Sequence, residues 1–215
     1  MKYSPYPYID ELFDDYDSNK KLINRDSPIM INYPKIMAMA IGSTYEDVII
    51  KTIDDFVSNP LPGYTIPALP TSSIYTIGGM AYKKFIPRPT PKADKFYNLF
   101  DTNFKNDVEN RFTLIKTNMI NKLESELVLL SQIYTTNTEY ENSYLDTLDL
   151  KDTLVNCSFD TAENALLEMK FSRNNVAHHY MDESSKNMED IRKLFQQSMY
   201  YVKAIDDIIS NMTVH

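Results

Sequence analysis

The chain has 215 residues, 43% of them hydrophobic, and a formal net charge of −8 from 22 basic and 30 acidic side chains. That length supports one generous domain with its own core, dependent on neither disulfides nor metal. The acidic balance excludes broad attachment to nucleic acid or to an anionic membrane, because both are driven by Lys and Arg near phosphates, so any nucleic-acid contact has to be local.

The single cysteine, Cys157, rules out an intramolecular disulfide framework and fits a reducing, cytoplasmic setting. It reads as a small half-buried side chain rather than a nucleophile. No run of about 18 apolar residues occurs, and the N-terminal MKYSPYPYIDELFDDYD has no basic-then-apolar leader, so neither a membrane span nor a secretory signal is expected.

Residues 1–32 mix tyrosine, proline and acids without a sustained period, which predicts an irregular N-terminal arm. Residues 33–215 are expected to form a single domain. From Pro34 to Ser58 the spacing of Ile41, Tyr45, Val48, Ile49, Thr52 and Phe56 predicts a helix, with Gly42 and Ser43 allowing a neighbour to come close and Glu46 among apolar residues. A proline-rich insert at 60–92 excludes a long helix and reads as a loop or hairpin excursion. Its Gly78-Gly79 pair lacks the Gly-Lys-Ser/Thr continuation of a phosphate loop and reads as a turn. The basic run Lys83-Lys84, with Arg88 and Lys92 nearby, is equally consistent with RNA contact and with solvated loop charges.

Between Ala93 and Tyr134 an apolar stripe (Phe104, Val108, Phe112, Ile115, Met119, Leu123, Leu127, Leu130) predicts one very long helix or two separated by a kink. The polar stretch TTNTEYENSYLDTLDLKD reads as a loop with at most a short turn. Asp160 and Glu163 have capping-box spacing at the start of another helix. A last helix carries Met188, Ile191, Phe195, Val202, Ile205, Ile209 and Met212, capped by Ser184 or Ser185. The sum is an all-α antiparallel helical bundle whose two C-terminal helices pack against each other.

One stretch, FSRNNVAHHY, gathers an arginine, two asparagines and two of the three histidines. On a regular helix Asn174 and His178 share a face, whereas Arg173 and His178 lie about 140° apart, so one straight helix does not aim both at one point. A two-fold axis removes that difficulty, because each chain offers part of a shared groove. Guanidinium and imidazole suit RNA cleavage without metal: Arg173 grips the phosphate while His178 moves a proton. Adjacent histidines diverge on a helix and no HExxH or Cys/His cluster occurs, so no metal and no cofactor are expected. From the residues alone a second reading stays open, in which the stretch is a polar helix end and Arg173 pairs with Glu168 or Asp182.

RNNVAHHY resembles the R-x(4)-H-x-Y signature of HEPN domains, helical bundles many of which are metal-independent endoribonucleases. AIGSTYEDVIIKTIDDFV is similar to the opening helix of groups related to the RiboL-PSP-HEPN proteins, with Glu46 as the matching acid. The resemblance spans residues 35–212. It implies a homodimer in which Arg173 and His178 of both chains form one RNA-cleaving site, supported by Asn174. Tyr180 matches a tyrosine that is adenylylated in relatives paired with a nucleotidyltransferase antitoxin, and His179 stands where the family often has glycine. The implied role is a toxin or antiviral defence effector; the alternative is a non-catalytic HEPN module that binds RNA, nucleotide or a partner protein.

Overall fold

A computed structural model of the chain describes residues 3–24, 26–64, 76–87, 92–134, 140–178 and 186–214, the side chains of Tyr134 and His178 excepted. Among these residues are eight helices and no strand: α1 (Pro7–Asn19), α2 (Pro28–Ser58), α3 (Ile77–Tyr82), α4 (Asp94–Tyr97), α5 (Phe104–Tyr134), α6 (Glu141–Val155), α7 (Phe159–His178) and α8 (Met188–Ser210). The chain is thus all-α, and no described helix is long and apolar enough to cross a membrane.

Helix α8 lies at the centre because its apolar stripe is wide. Ile191, Phe195, Met199, Tyr201, Val202, Ile205 and Ile209 are all fully buried, the broad face that a helix shows when it is packed on several sides. Helix α2 runs alongside in the same direction: Tyr45 meets Ser198 at 3.0 Å and Thr52 donates to Asp206 at 2.6 Å. Helix α7 runs opposite to α8, with Phe159 beside Tyr201 at one end and Glu168 paired with Lys186 towards the other. Helix α5 also opposes α8, joined to it by Arg111 and Asp207, and α6 covers α5 through Lys151 and Glu124. A buried polar strut crosses this core, in which the Tyr97 hydroxyl donates to Glu163 and meets the hydroxyl of Tyr201.

The N-terminal residues are not an irregular arm. Pro7 sits in the first turn of α1, where its missing N–H costs no hydrogen bond. Ile9 and Phe13, four apart, are fully buried, which contributes about 1.5–3 kcal/mol each. Arg192 of α8 lies over the Phe13 ring and pairs with Asp17 at 2.7 Å, fastening α1 to the bundle. Helix α2 likewise begins at Pro28, capped by Ser27, and passes through Pro34 instead of starting there.

Other expectations need correction. The acidic polar stretch before α7, residues 135–152, supplies most of α6, which is held by a narrow stripe of Thr147, Leu150 and Leu154; its residues 135–139 lie outside the described ones. Helix α7 is capped by Ser158, whose Oγ accepts from Thr161 N at 3.1 Å, because Glu163 is drawn instead to Tyr97. Helix α8 is capped by Asn187, which forms a reciprocal box with Asp190; Ser184 and Ser185 lie outside the described residues. Gly78 and Gly79 are not in a turn but open α3, capped by Thr76. Of the two forms expected between Ala93 and Tyr134, one very long helix or two separated by a kink, the structure has two, the short α4 and the long α5; Phe100 and Phe104 stack at the corner between them, and Phe96 meets both rings edge-on.

Candidate functional site

Helices α2 and α7 come into contact at a glycine. A Cβ added to Gly42 would lie 2.6 Å from Arg173 Cβ and 2.8 Å from its Cγ, so only glycine admits the Arg173 stem at this crossing. The close approach lays the guanidinium along α2, one turn further on, where Glu46 projects from the same face. Arg173 Nη2 meets Glu46 Oε2 at 2.8 Å, with the two side chains 29% and 25% exposed. That shelter keeps the pair from being screened as a surface pair would be. Arg173 Nη1 donates to Asn174 Oδ1 at 3.1 Å, and Arg173 Nε is buried without a hydrogen-bond partner.

The structure therefore brings together three of the residues singled out in the sequence, Glu46, Arg173 and Asn174. Of the two partners that the sequence offered Arg173, Glu168 holds Lys186 at 3.0 Å, and Asp182 lies outside the described residues. His178 closes α7, its side chain undescribed, while His179 and Tyr180 lie outside the described residues.

Sequence reasoning missed two neighbours. Lys170, one turn before Arg173, is only 8% exposed. Its Nζ donates to the carbonyls of Tyr82 at 2.7 Å and Phe85 at 2.9 Å and lies 4.1 Å from the centre of the Tyr82 ring. Burial brings the ammonium down from its ordinary 10.5 to about 8; Glu46 opposes the shift, while Arg173 and Lys83 reinforce it. Burial also drives the Tyr82 hydroxyl well above its usual range, with Glu46 adding and Arg173 subtracting. The available signal for Lys170 was a lysine in the largely apolar run ALLEMKF, next to the buried Met169. Tyr82 carried no comparable signal, because a tyrosine in a proline-rich segment is unremarked.

Chemically, this is a sheltered cationic position with one counter-carboxylate. Each terminal nitrogen of its guanidinium carries a second N–H beyond the one directed at Asn174 or Glu46, and a histidine lies on the next turn of the same helix. No family model, no curated protein and no solved structure matches this chain, so a functional reading rests on the residues themselves.

Proposed function

We propose that the chain is a metal-independent endoribonuclease of the HEPN type, active as a homodimer in which Arg173 and His178 of both copies share one RNA cleft. The observation that carries this reading is the Glu46–Arg173 pair: the two residues that the resemblance selects from separate stretches meet at 2.8 Å, at the glycine crossing of α2 and α7. In the proposed reaction His178 of one copy takes the proton of a ribose 2′-hydroxyl. The 2′-oxygen forms a bond to phosphorus while the bond to the 5′-oxygen breaks, and the second imidazole protonates the leaving oxygen. Arg173 holds the phosphate oxygens as charge builds on them, and the products are a 2′,3′-cyclic phosphate and a 5′-hydroxyl. A toxin or antiviral defence role in the cytoplasm, with RNA as substrate and a nucleotidyltransferase antitoxin that adds AMP to Tyr180, completes the proposal.

The engagement of Arg173 by Glu46 also favours a second reading, a non-catalytic module of the same type that binds RNA, nucleotide or a partner protein, with the ion pair as a structural tie. Incubating purified wild type, Arg173→Ala and His178→Ala with labelled RNA separates the two. The nuclease reading expects cleavage by wild type, insensitive to EDTA, and a loss of at least about 100-fold in each variant. Intact RNA with all three proteins leaves the binding module.

A further inference from the structure

The sequence left the basic run Lys83-Lys84 undecided between RNA contact and solvated charge. Three features of the structure bear on that choice. First, the run follows directly on α3, which is seated firmly on α2. Gly78 N donates to Asp54 Oδ1 at 2.8 Å, and a Cβ at Gly78 would lie 2.3 Å from the Ile50 carbonyl oxygen. Second, the carbonyls on either side of the run, those of Tyr82 and Phe85, are both held by Lys170, and the Phe85 ring stacks on Phe96 with centroids 4.1 Å apart. Lys83 and Lys84 are therefore mounted on α7 one turn from Arg173, not carried on a free loop. Third, Ile86 and Lys92 form an antiparallel bridge, with Ile86 N donating to Lys92 O at 2.9 Å and Lys92 N to Ile86 O at 2.8 Å, which returns a third lysine to the same place.

Lys83 and Lys92 are exposed and Lys84 is half-buried. In a chain with a net charge of −8 this gathers three lysines at one place. Like charges gathered this closely repel one another. An anion running past them would relieve that repulsion.

We propose that Lys83, Lys84 and Lys92 form a phosphate-binding track for single-stranded RNA that leads to Arg173. The proposal rests on the RNA reading of the Arg173 site and names the path by which the substrate enters it. Lys170 is the positioning residue of the track: it holds the peptide backbone, and Lys83, Lys84 and Lys92 hold the phosphates.

The test is fluorescence anisotropy with a short labelled RNA that is fully 2′-O-methylated, which removes the internal nucleophile and uncouples binding from cleavage. Wild type is compared with K83E/K84E/K92E and with K21E/K51E/K193E, which reverses three exposed lysines outside the track. The track variant is expected to bind at least about tenfold more weakly and to lose about 2 from the slope of log affinity against log salt, while the control stays within about threefold of wild type. Equal weakening by the two variants, or no weakening by the first, overturns the proposal. The two readings fail separately. Selective loss of binding with no cleavage of ordinary RNA by wild type keeps the track and removes the nuclease. Cleavage that depends on Arg173 but proceeds with unchanged KM in K83E/K84E/K92E keeps the nuclease and removes the track.

Discussion

Replacing Lys170 by methionine keeps most of the volume of the side chain and removes its charge, so it isolates what a buried ammonium does to the stability of the bundle. In the folded chain this group loses its proton near pH 8, against 10.5 in the unfolded chain. Between those values the unfolded chain binds more protons, so the Lys170 contribution to stability increases as pH rises through 8 and is lost as pH falls back through it. Integrating the linkage from pH 7 to pH 9 with these two values gives a gain of about 1.4 kcal/mol. Cys157, pushed from its ordinary 9 to about 11 by burial, works in the opposite direction above pH 8, but does so equally in both proteins. Urea unfolding at half-unit pH intervals is the assay, and the informative quantity is the difference between wild type and K170M. The difference is expected to shift by about 1.4 kcal/mol over that range in favour of wild type. Parallel profiles would show that Lys170 titrates normally, and would refute its description as a buried cation held by two carbonyls.

Two further substitutions probe the frame around the site and its far end. Gly42→Ala gains about 1 kcal/mol of helix propensity but forces a contact that costs about 1–3 kcal/mol of overpacking; a net loss of up to about 2 kcal/mol in urea unfolding is expected, together with weaker RNA cleavage, and a stabilised variant with full activity would contradict the tight crossing. Asp10 has a buried Oδ1 without a hydrogen-bond partner, and burial lifts its carboxyl from 3.8 to about 6. Its contribution to stability is present below pH 3.8 and lost as pH rises through 6. Asp10→Asn is therefore expected to raise stability at pH 7 by about 1–2 kcal/mol and to leave it little changed near pH 4, readable as a shift in the unfolding midpoint.

What the sequence made legible follows the width of each buried stripe. The spacing in α8 and in the later part of α2 was readable because most of each stripe is buried, and the side chains recur at three- and four-residue steps without interruption. Helix α6 was missed because three inward residues among acids and threonines leave little periodic signal, and it is its packing on α5 that holds the helix. Helix α1 was missed because tyrosine, proline and acids there give no sustained period, although Pro7 in its first turn does no harm. The two caps were misplaced for a shared reason: Ser, Asp and Asn near a helix start all offer an acceptor, and which one is used depends on what the others meet in the fold. At the candidate site, Glu46, Arg173 and Asn174 were each named in advance, but their meeting was not. Nothing local to either helix says that Gly42 lies opposite Arg173, and Lys170 becomes visible only once α3 is folded back onto α7.

The tyrosine strut has an optical consequence. The chain contains no tryptophan, so its intrinsic emission comes from its 16 tyrosines without energy loss to an indole. Tyr97 spends the folded state hydrogen-bonded to a carboxylate and to Tyr201, an arrangement that drains the excited phenol by proton transfer. Unfolding breaks that contact, so this acidic bundle carries its own turn-on reporter at the place where α4, α7 and α8 meet.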